Sequence, residues 1–291
     1  MSPLPIVTGR GEELTAIARD DKIALVREHG GVIFRGFRVA TPEFLVVARA
    51  LGHRFYNMAL DPKIRELVTA DGMVAGALKG TSALPLHMER GYSPLKPELV
   101  LFHVLQPSAA GGESLLCHGA RALEALPAAT ADRLRTKRLK YRHTWEPEAW
   151  RGRYGATPDD VTRLFAGNPD IVEHRFEGDL LHYSYLVPAI VRSRLGGGEA
   201  FANSLEGTWE MMHASRETRR AIHDHAVMFE DDEPITQELV DDVHAAVTRA
   251  TEVHPLAACD VLVLDNYRVM HGRRAFEGNR VIHTIMAAAS F

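Results

Sequence analysis

His87 and Glu89 flank Met88 in the run LPLHMERGY, where polar and apolar residues alternate as in a β-strand. Side chains two apart on a strand leave the same face, so the spacing predicts that both can grip one metal ion. A second imidazole, His271, closes the apolar run VLVLDNYRVMHGR far downstream. Two imidazoles and one carboxylate on one side of a metal leave the opposite coordination positions open, which oxygen activation at non-haem iron(II) requires. A His-X-Glu pair alone is common by chance, and the same donors suit zinc. A zinc hydrolase and a non-catalytic binding protein therefore stand as the readings from other classes.

Two more residues sharpen the pattern. Arg280 lies beyond the turn FEGN and is expected to open a strand antiparallel to the one carrying His271. A guanidinium there can form a bidentate, charge-assisted pair with a carboxylate. Ser114, in GGES, can donate a second hydrogen bond to the same group. Singly these are a surface arginine and a turn serine. Together with the triad they outline a dicarboxylate pocket beside a metal.

The segments LPLHMERGY, PSAAGGES and DNYRVMHGRRAFEGNR, in that order, resemble the taurine dioxygenase family of iron(II)/2-oxoglutarate oxygenases. The last is most similar to the branch holding the syringomycin-type aspartyl hydroxylases. The resemblance implies iron(II) on His87, Glu89 and His271. It implies 2-oxoglutarate with its C5 carboxylate on Arg280, Ser114 standing where a threonine is usual, and O2 as co-substrate. The implied reaction hydroxylates an amino-acid-like or natural-product substrate, free or tethered to a carrier protein, with release of succinate and CO2. Desaturation, epoxidation and cyclisation share that cofactor chemistry. Thr284 stands where taurine dioxygenase has an arginine for the substrate sulfonate, which argues against a sulfonate. Related halogenases replace the acidic ligand by Gly or Ala, so Glu89 argues against halogenation.

For substrate contacts the candidates are Arg90, Tyr92, Asn203 and Thr284. Arg90 could meet a substrate carboxylate or lie solvated; Asn203 could face substrate or cap a turn. Arg273 is expected to brace the metal strand. His103, His118 and His283 lie on strand-like runs without a nearby carboxylate and are expected in the core.

The elements that must position these groups suggest a mainly β fold with flanking helices and a double-stranded β-helix (jelly-roll, cupin-like) core, which brings distant strands together. The spacing predicts a helix over 11–29 capped by Gly30, a strand at 31–37, and a helix after Thr41 as N-cap. Residues 1–291 read as one domain, with a lid or insert at about 146–250. Its first part, 146–200, has the least regular pattern, and long irregular segments often cover sites.

The net charge of −4, from 34 basic and 38 acidic side chains, gives no general pull toward nucleic acid. Two isolated cysteines, Cys117 and Cys259, suit a reducing compartment rather than a disulfide framework. With no signal-like start and no apolar run of membrane-spanning length, a cytoplasmic enzyme without membrane partners is expected. The oligomeric state is left open, a homodimer included.

Overall fold

The computed structural model describes residues 3–58, 65–214 and 224–291. The chain opens with β1 (Ile6–Thr8), α1 (Arg19–His29), β2 (Gly31–Arg35), α2 (Thr41–Leu51) and β3 (Gly52–Phe55). Five strands follow: β4 (Ala75–Gly76), β5 (Leu84–His87), β6 (Leu99–Gln106), β7 (Ala110–Gly111) and β8 (Ser114–His118). Helices α3 (Gly119–Ala125) and α4 (Ala128–Thr136) lead to β9 (Leu139–Trp145), α5 (Pro147–Tyr154), α6 (Pro158–Ala166) and β10 (Ile171–Glu177). Next come β11 (Leu180–Val187), β12 (Ile190–Arg192), β13 (Glu199–Phe201), α7 (Leu205–His213), β14 (Asp224–Phe229) and the helix Gln237–Ala250. The chain closes with β15 (Thr251–His254), β16 (Val261–Asp265), β17 (Val269–Arg273), β18 (Phe276–Glu277) and β19 (Val281–Ala289).

Two sheets make the expected jelly-roll core. The larger runs β1-β2-β16-β6-β19-β3, with β4 also on β19; the smaller runs β15-β8-β17-β5. Strand β16 shows why its sequence is apolar throughout. Val261 and Val263 face a layer built with Val26 of α1 and Phe44, Val47 and Leu51 of α2, whereas Leu262 and Leu264 pack with Leu116 and Val269 of the smaller sheet. A strand covered on both faces has no polar alternation to show.

The N-terminal expectations hold in outline. Gly30 ends α1 in the left-handed conformation (φ 81°), its N–H bonding the Val26 carbonyl. The helix starts only at Arg19, because Ala18 is extended and Leu14–Ala16 form a separate 3-10 turn. Thr41 is not the cap of α2. Ala40 occupies that position, and the Thr41 hydroxyl bonds Nδ1 of His283 at 3.1 Å.

The segment expected to be least regular is ordered. It contributes α5, α6 and β10 to β13, and β10-β11-β9-β14 form a separate four-stranded sheet. That sheet has its own apolar layer, in which Tyr141, Trp145, Trp150, Tyr154, Phe165 and Tyr183 are buried. Alternation in LKYRHTW and LLHYSYLV places the aromatics on one face, so the layer follows from the strand period. The sheet spans 139–229, beginning and ending before the 146–250 expected from sequence. The sequence pattern near 205–225 is helical; α7 covers its first part, and residues 215–223 lie outside the described residues.

Arg268 locks α1 to the core. It is 1% exposed, donates Nε to Asp265 at 2.8 Å and Nη1 to the Arg27 carbonyl at 2.8 Å, and also reaches the Val26 carbonyl. Asp265 is fully buried, so losing its partner strands a carboxylate in the interior. Replacing Arg268 by Met should lower the unfolding free energy by about 3–5 kcal/mol in urea denaturation. An unchanged midpoint and slope would show that the lock contributes nothing.

Candidate metal centre

Strands β5 and β17 are antiparallel neighbours with His87 directly opposite His271, and the two rings lie 4.5 Å apart. On the other side of β17, Leu116 faces His271 and Ser114 faces Arg273. Paired residues in a ladder project to the same side, so these side chains share the inner face of the smaller sheet. One ligand atom from each of His87, Glu89 and His271 lies within 4.8 Å of the other two. Nδ1 of His87 bonds the Pro85 carbonyl at 2.9 Å, which fixes the tautomer and frees Nε2. Nε2 of His271 stands 3.7 Å from Oε2 of Glu89.

Glu89 reaches this cluster by a different route from the one its spacing suggested. Strand β5 ends at His87, and Glu89 sits in the turn that follows, where Gly91 N–H bonds the Met88 carbonyl at 3.0 Å. What fixes Glu89 is Asn266, fully buried at the end of β16. Its Oδ1 accepts the Glu89 N–H at 2.8 Å, and its Nδ2 donates to the carbonyls of Glu89 and Pro97, each at 2.9 Å. Sequence reading did not single out Asn266; an asparagine ending an apolar strand is the available signal. Arg65, also missed, lies in a stretch without pattern and approaches Oε2 of Glu89 at 3.5 Å.

Gly272, between His271 and Arg273, allows β5 to come this near. A Cβ there would stand 2.7 Å from the Leu84 carbonyl oxygen, and the β5–β17 register shifts at that point.

The donor set fits a divalent cation in protonation as well as in type. Burial, then the neighbouring His271, lowers His87 to about 4, so its imidazole is neutral at pH 7. Burial alone would raise Glu89, but the neighbouring His271 and the Arg65 charge hold it below the ordinary carboxylate range. Neutral imidazole and ionised carboxylate are the forms a metal takes.

A pocket beside the cluster is lined by Phe102, Ser114, Leu262, Arg273, Arg280 and Ile282, among others. Arg280 does not open a strand beside that of His271, as its position after a turn suggested. Strand β17 pairs with β5 and β8, and the chain crosses through β18 and Gly278 (φ 76°) to the facing sheet, where Arg280 precedes β19. The guanidinium therefore points in from the opposite wall. Burial, then Arg273, lowers its pKa to about 10, which leaves it charged at pH 7. Arg273 has its own work, donating to the carbonyls of Leu78, Gly80 and Ser82, and so braces the strand as expected. Among the described residues Arg280 makes no ion pair, which leaves it as the free cation of the pocket.

The four substrate candidates are not gathered in one place. Arg90 is buried and bonds the Asn57 carbonyl; the Tyr92 ring lies against His143 and His225 of the inserted sheet. Both polar ends of the Asn203 side chain are engaged, Nδ2 with the Ala189 carbonyl and Oδ1 with the Leu205 N–H, so it brackets the start of α7. Thr284 is fully buried on β19 opposite Phe102, and its hydroxyl has no partner. His103, His118 and His283 are buried outside the metal cluster, as expected.

Residues 7–286 match the family model described as taurine catabolism dioxygenase TauD, TfdA family. The chain belongs to this family. The TauD/TfdA chain is 24% identical over 276 residues to the dapdiamide synthesis protein DdaC of Enterobacter agglomerans, covering 90% of this chain and 83% of that protein. Its fold resembles the PvcB protein from Pseudomonas aeruginosa (TM-score 0.60, 13% identity, 98% and 86% of the two chains). It also resembles an asparagine oxygenase solved with Fe(II), 3-hydroxyasparagine and succinate (TM-score 0.57, 14% identity, 94% and 79%). As a TauD/TfdA protein with this triad it is a 2-oxoglutarate-dependent non-haem iron(II) dioxygenase. The hydrolase and binding-protein readings that the donors left open fall away.

Removing the Asn266 bracket should leave a folded protein that holds metal poorly. Asn266→Ala is expected to weaken Fe(II) or Mn(II) binding by about 10–100-fold in metal titration. Affinity equal to the parent would mean that Glu89 is placed by other contacts.

Proposed function

We propose that this dioxygenase oxidises a small amino-acid-like substrate, most simply by hydroxylation, with His87, Glu89 and His271 holding iron and Arg280 with Ser114 holding 2-oxoglutarate. The observation that carries the reading is the half-buried Arg280, without an ion pair among the described residues, lining one pocket with the three-ligand cluster. When bound, the iron couples decarboxylation of 2-oxoglutarate by O2 to oxidation of a substrate C–H bond.

The chain's own residues do the rest. Pro85 and Asn266 fix His87 and Glu89 before any metal arrives, so little ordering is left for binding. The Arg280 guanidinium and Ser114 hydroxyl, which line one pocket, would give the distal carboxylate of 2-oxoglutarate charge-assisted bonds. Phe102, Leu116, Leu262 and Ile282 supply apolar surface that keeps water from the rest of that ligand.

An amino-acid-like substrate is supported by the dapdiamide-synthesis relative and by the hydroxyasparagine held in the asparagine oxygenase. Glu89 provides a third protein ligand, which favours hydroxylation over halogenation. Desaturation, epoxidation or cyclisation would use the same residues with a different substrate pose. The inserted sheet forms the cover over the substrate side, reached through Tyr92, whose carbonyl bonds Nε2 of His143 at 2.9 Å. None of the described helices is long and apolar enough to cross a membrane. A cytoplasmic enzyme acting on a free or carrier-tethered small molecule, as monomer or homodimer, completes the reading.

Anaerobic addition of Fe(II) and 2-oxoglutarate should produce a weak visible charge-transfer band. Arg280→Ala should abolish it at ordinary cofactor concentration, and Ser114→Ala should raise the 2-oxoglutarate KM by about ten- to a hundredfold, one hydrogen bond to a charged group. A protein that forms no band, or whose band survives loss of Arg280, does not use this cofactor in this way.

A further inference from the structure

Arg65 stands in the pocket that holds the metal ligands, and the roles given to the triad and Arg280 leave it unused. Its guanidinium lines that pocket with His87, Glu89, His271 and Arg280, and its side chain is 12% exposed. The larger sheet carries it there. Leu67 bridges Ala75, Gly76 N–H bonds the Glu66 carbonyl at 2.7 Å, and β4 pairs with β19 through Ala75 opposite Thr284 and Gly76 opposite His283. Nη1 of Arg65 donates to the Gly76 carbonyl at 3.3 Å, which ties the guanidinium to the same wall.

A cation beside a metal ligand can act as a brace or as a charge, and the geometry separates the two. Nη2 of Arg65 stands 3.5 Å from Oε2 of Glu89, too far for a good hydrogen bond. Asn266 already fixes Glu89, holding both its N–H and its carbonyl. Arg65 is therefore not what orients this ligand. What it brings is positive charge at an oxygen that also faces Nε2 of His271, where a divalent cation would lie. Glu89 is its one ion-pair partner among the described residues. Imidazoles apart, the charged side chains of the pocket are Arg65, Arg273, Arg280 and Glu89, a formal excess of two positive charges. Arg273 spends its donors on three carbonyls. Of the two remaining guanidiniums, Arg65 is the one in contact with a metal ligand.

We propose that Arg65 sets the site to favour a metal together with its anionic partner over a metal alone. Its charge weakens a divalent cation held by His87, Glu89 and His271, and it strengthens the 2-oxo acid dianion that joins that cation. The proposal deepens the cofactor reading above and rests on it. The two effects are opposite in sign and similar in size, because one ligand carries two positive charges and the other two negative ones. They offset each other in the complete complex and persist in the incomplete one. Metal without cofactor is the state that Arg65 disfavours.

The test titrates the full chain with Mn(II), and then the Mn(II)-loaded chain with 2-oxoglutarate, by calorimetry. Mn(II) does not support turnover, so both readouts are affinities. Arg65→Gln should bind Mn(II) alone about tenfold more tightly and, once loaded, should bind 2-oxoglutarate about tenfold more weakly. Arg65→Met, which also removes the charge, should repeat both shifts. Arg65→Lys keeps the charge without the planar fork and should stay within about threefold of the parent for both ligands. A brace would behave otherwise: Arg65→Gln would then bind Mn(II) more weakly, and that result overturns the proposal. Unchanged affinity for both ligands overturns it too, as does an Arg65→Lys chain that behaves like Arg65→Gln. The Mn(II) titration involves no cofactor. If the loaded parent takes no 2-oxoglutarate, or takes it equally well after Arg280→Ala, the cofactor reading fails, while the metal affinities still decide whether the Arg65 charge opposes the cation.

Discussion

The metal centre depends on one buried side-chain amide. Asn266 spends its oxygen and nitrogen on the backbone of Glu89 and on Pro97, and it does so from the end of a strand whose chain continues to His271. The carboxylate ligand and the distal imidazole are thus positioned by a single connection, although they come from opposite ends of the molecule. An amide inside a protein must satisfy all its bonds or destabilise it, so this bracket has one geometry and few alternatives.

Around that bracket the jelly roll distributes its tasks by wall. The smaller sheet supplies both imidazoles, the serine and the bracing Arg273; the larger supplies the opposing cation and the apolar floor. Arg280 and Ser114 therefore offer their donors to one pocket from two facing surfaces. Arg273 and Arg280 differ in what surrounds them: three carbonyls absorb the Arg273 guanidinium, whereas Arg280 makes no ion pair among the described residues.

Much of this was legible in the sequence, because residue type and order carry the donor chemistry. His87, Glu89, His271, Ser114 and Arg280 come together in one region, and the period of β9 and β11 gave the aromatic face of the inserted sheet. What escaped was geometry set by tertiary contacts. Two-residue spacing suggested a shared strand for His87 and Glu89, whereas a turn and a distant asparagine place the acid. A turn before Arg280 suggested a hairpin, whereas a crossover carries it to the other sheet. Arg65 left no local signal at all, since a lone arginine looks the same in water and in a pocket wall. The stretch after Trp145 read as irregular because its elements are short and separated by turns.

The inserted sheet has one further property. Its first and last strands are antiparallel neighbours, with Leu139 opposite Phe229, so the segment leaves the core and returns to it at almost the same point. Paired strands are about 5 Å apart. The core therefore experiences this stretch as little more than a tight loop, whatever its length. A lineage could exchange this aromatic layer for one of different shape while the two walls that carry the triad and Arg280 stayed as they are.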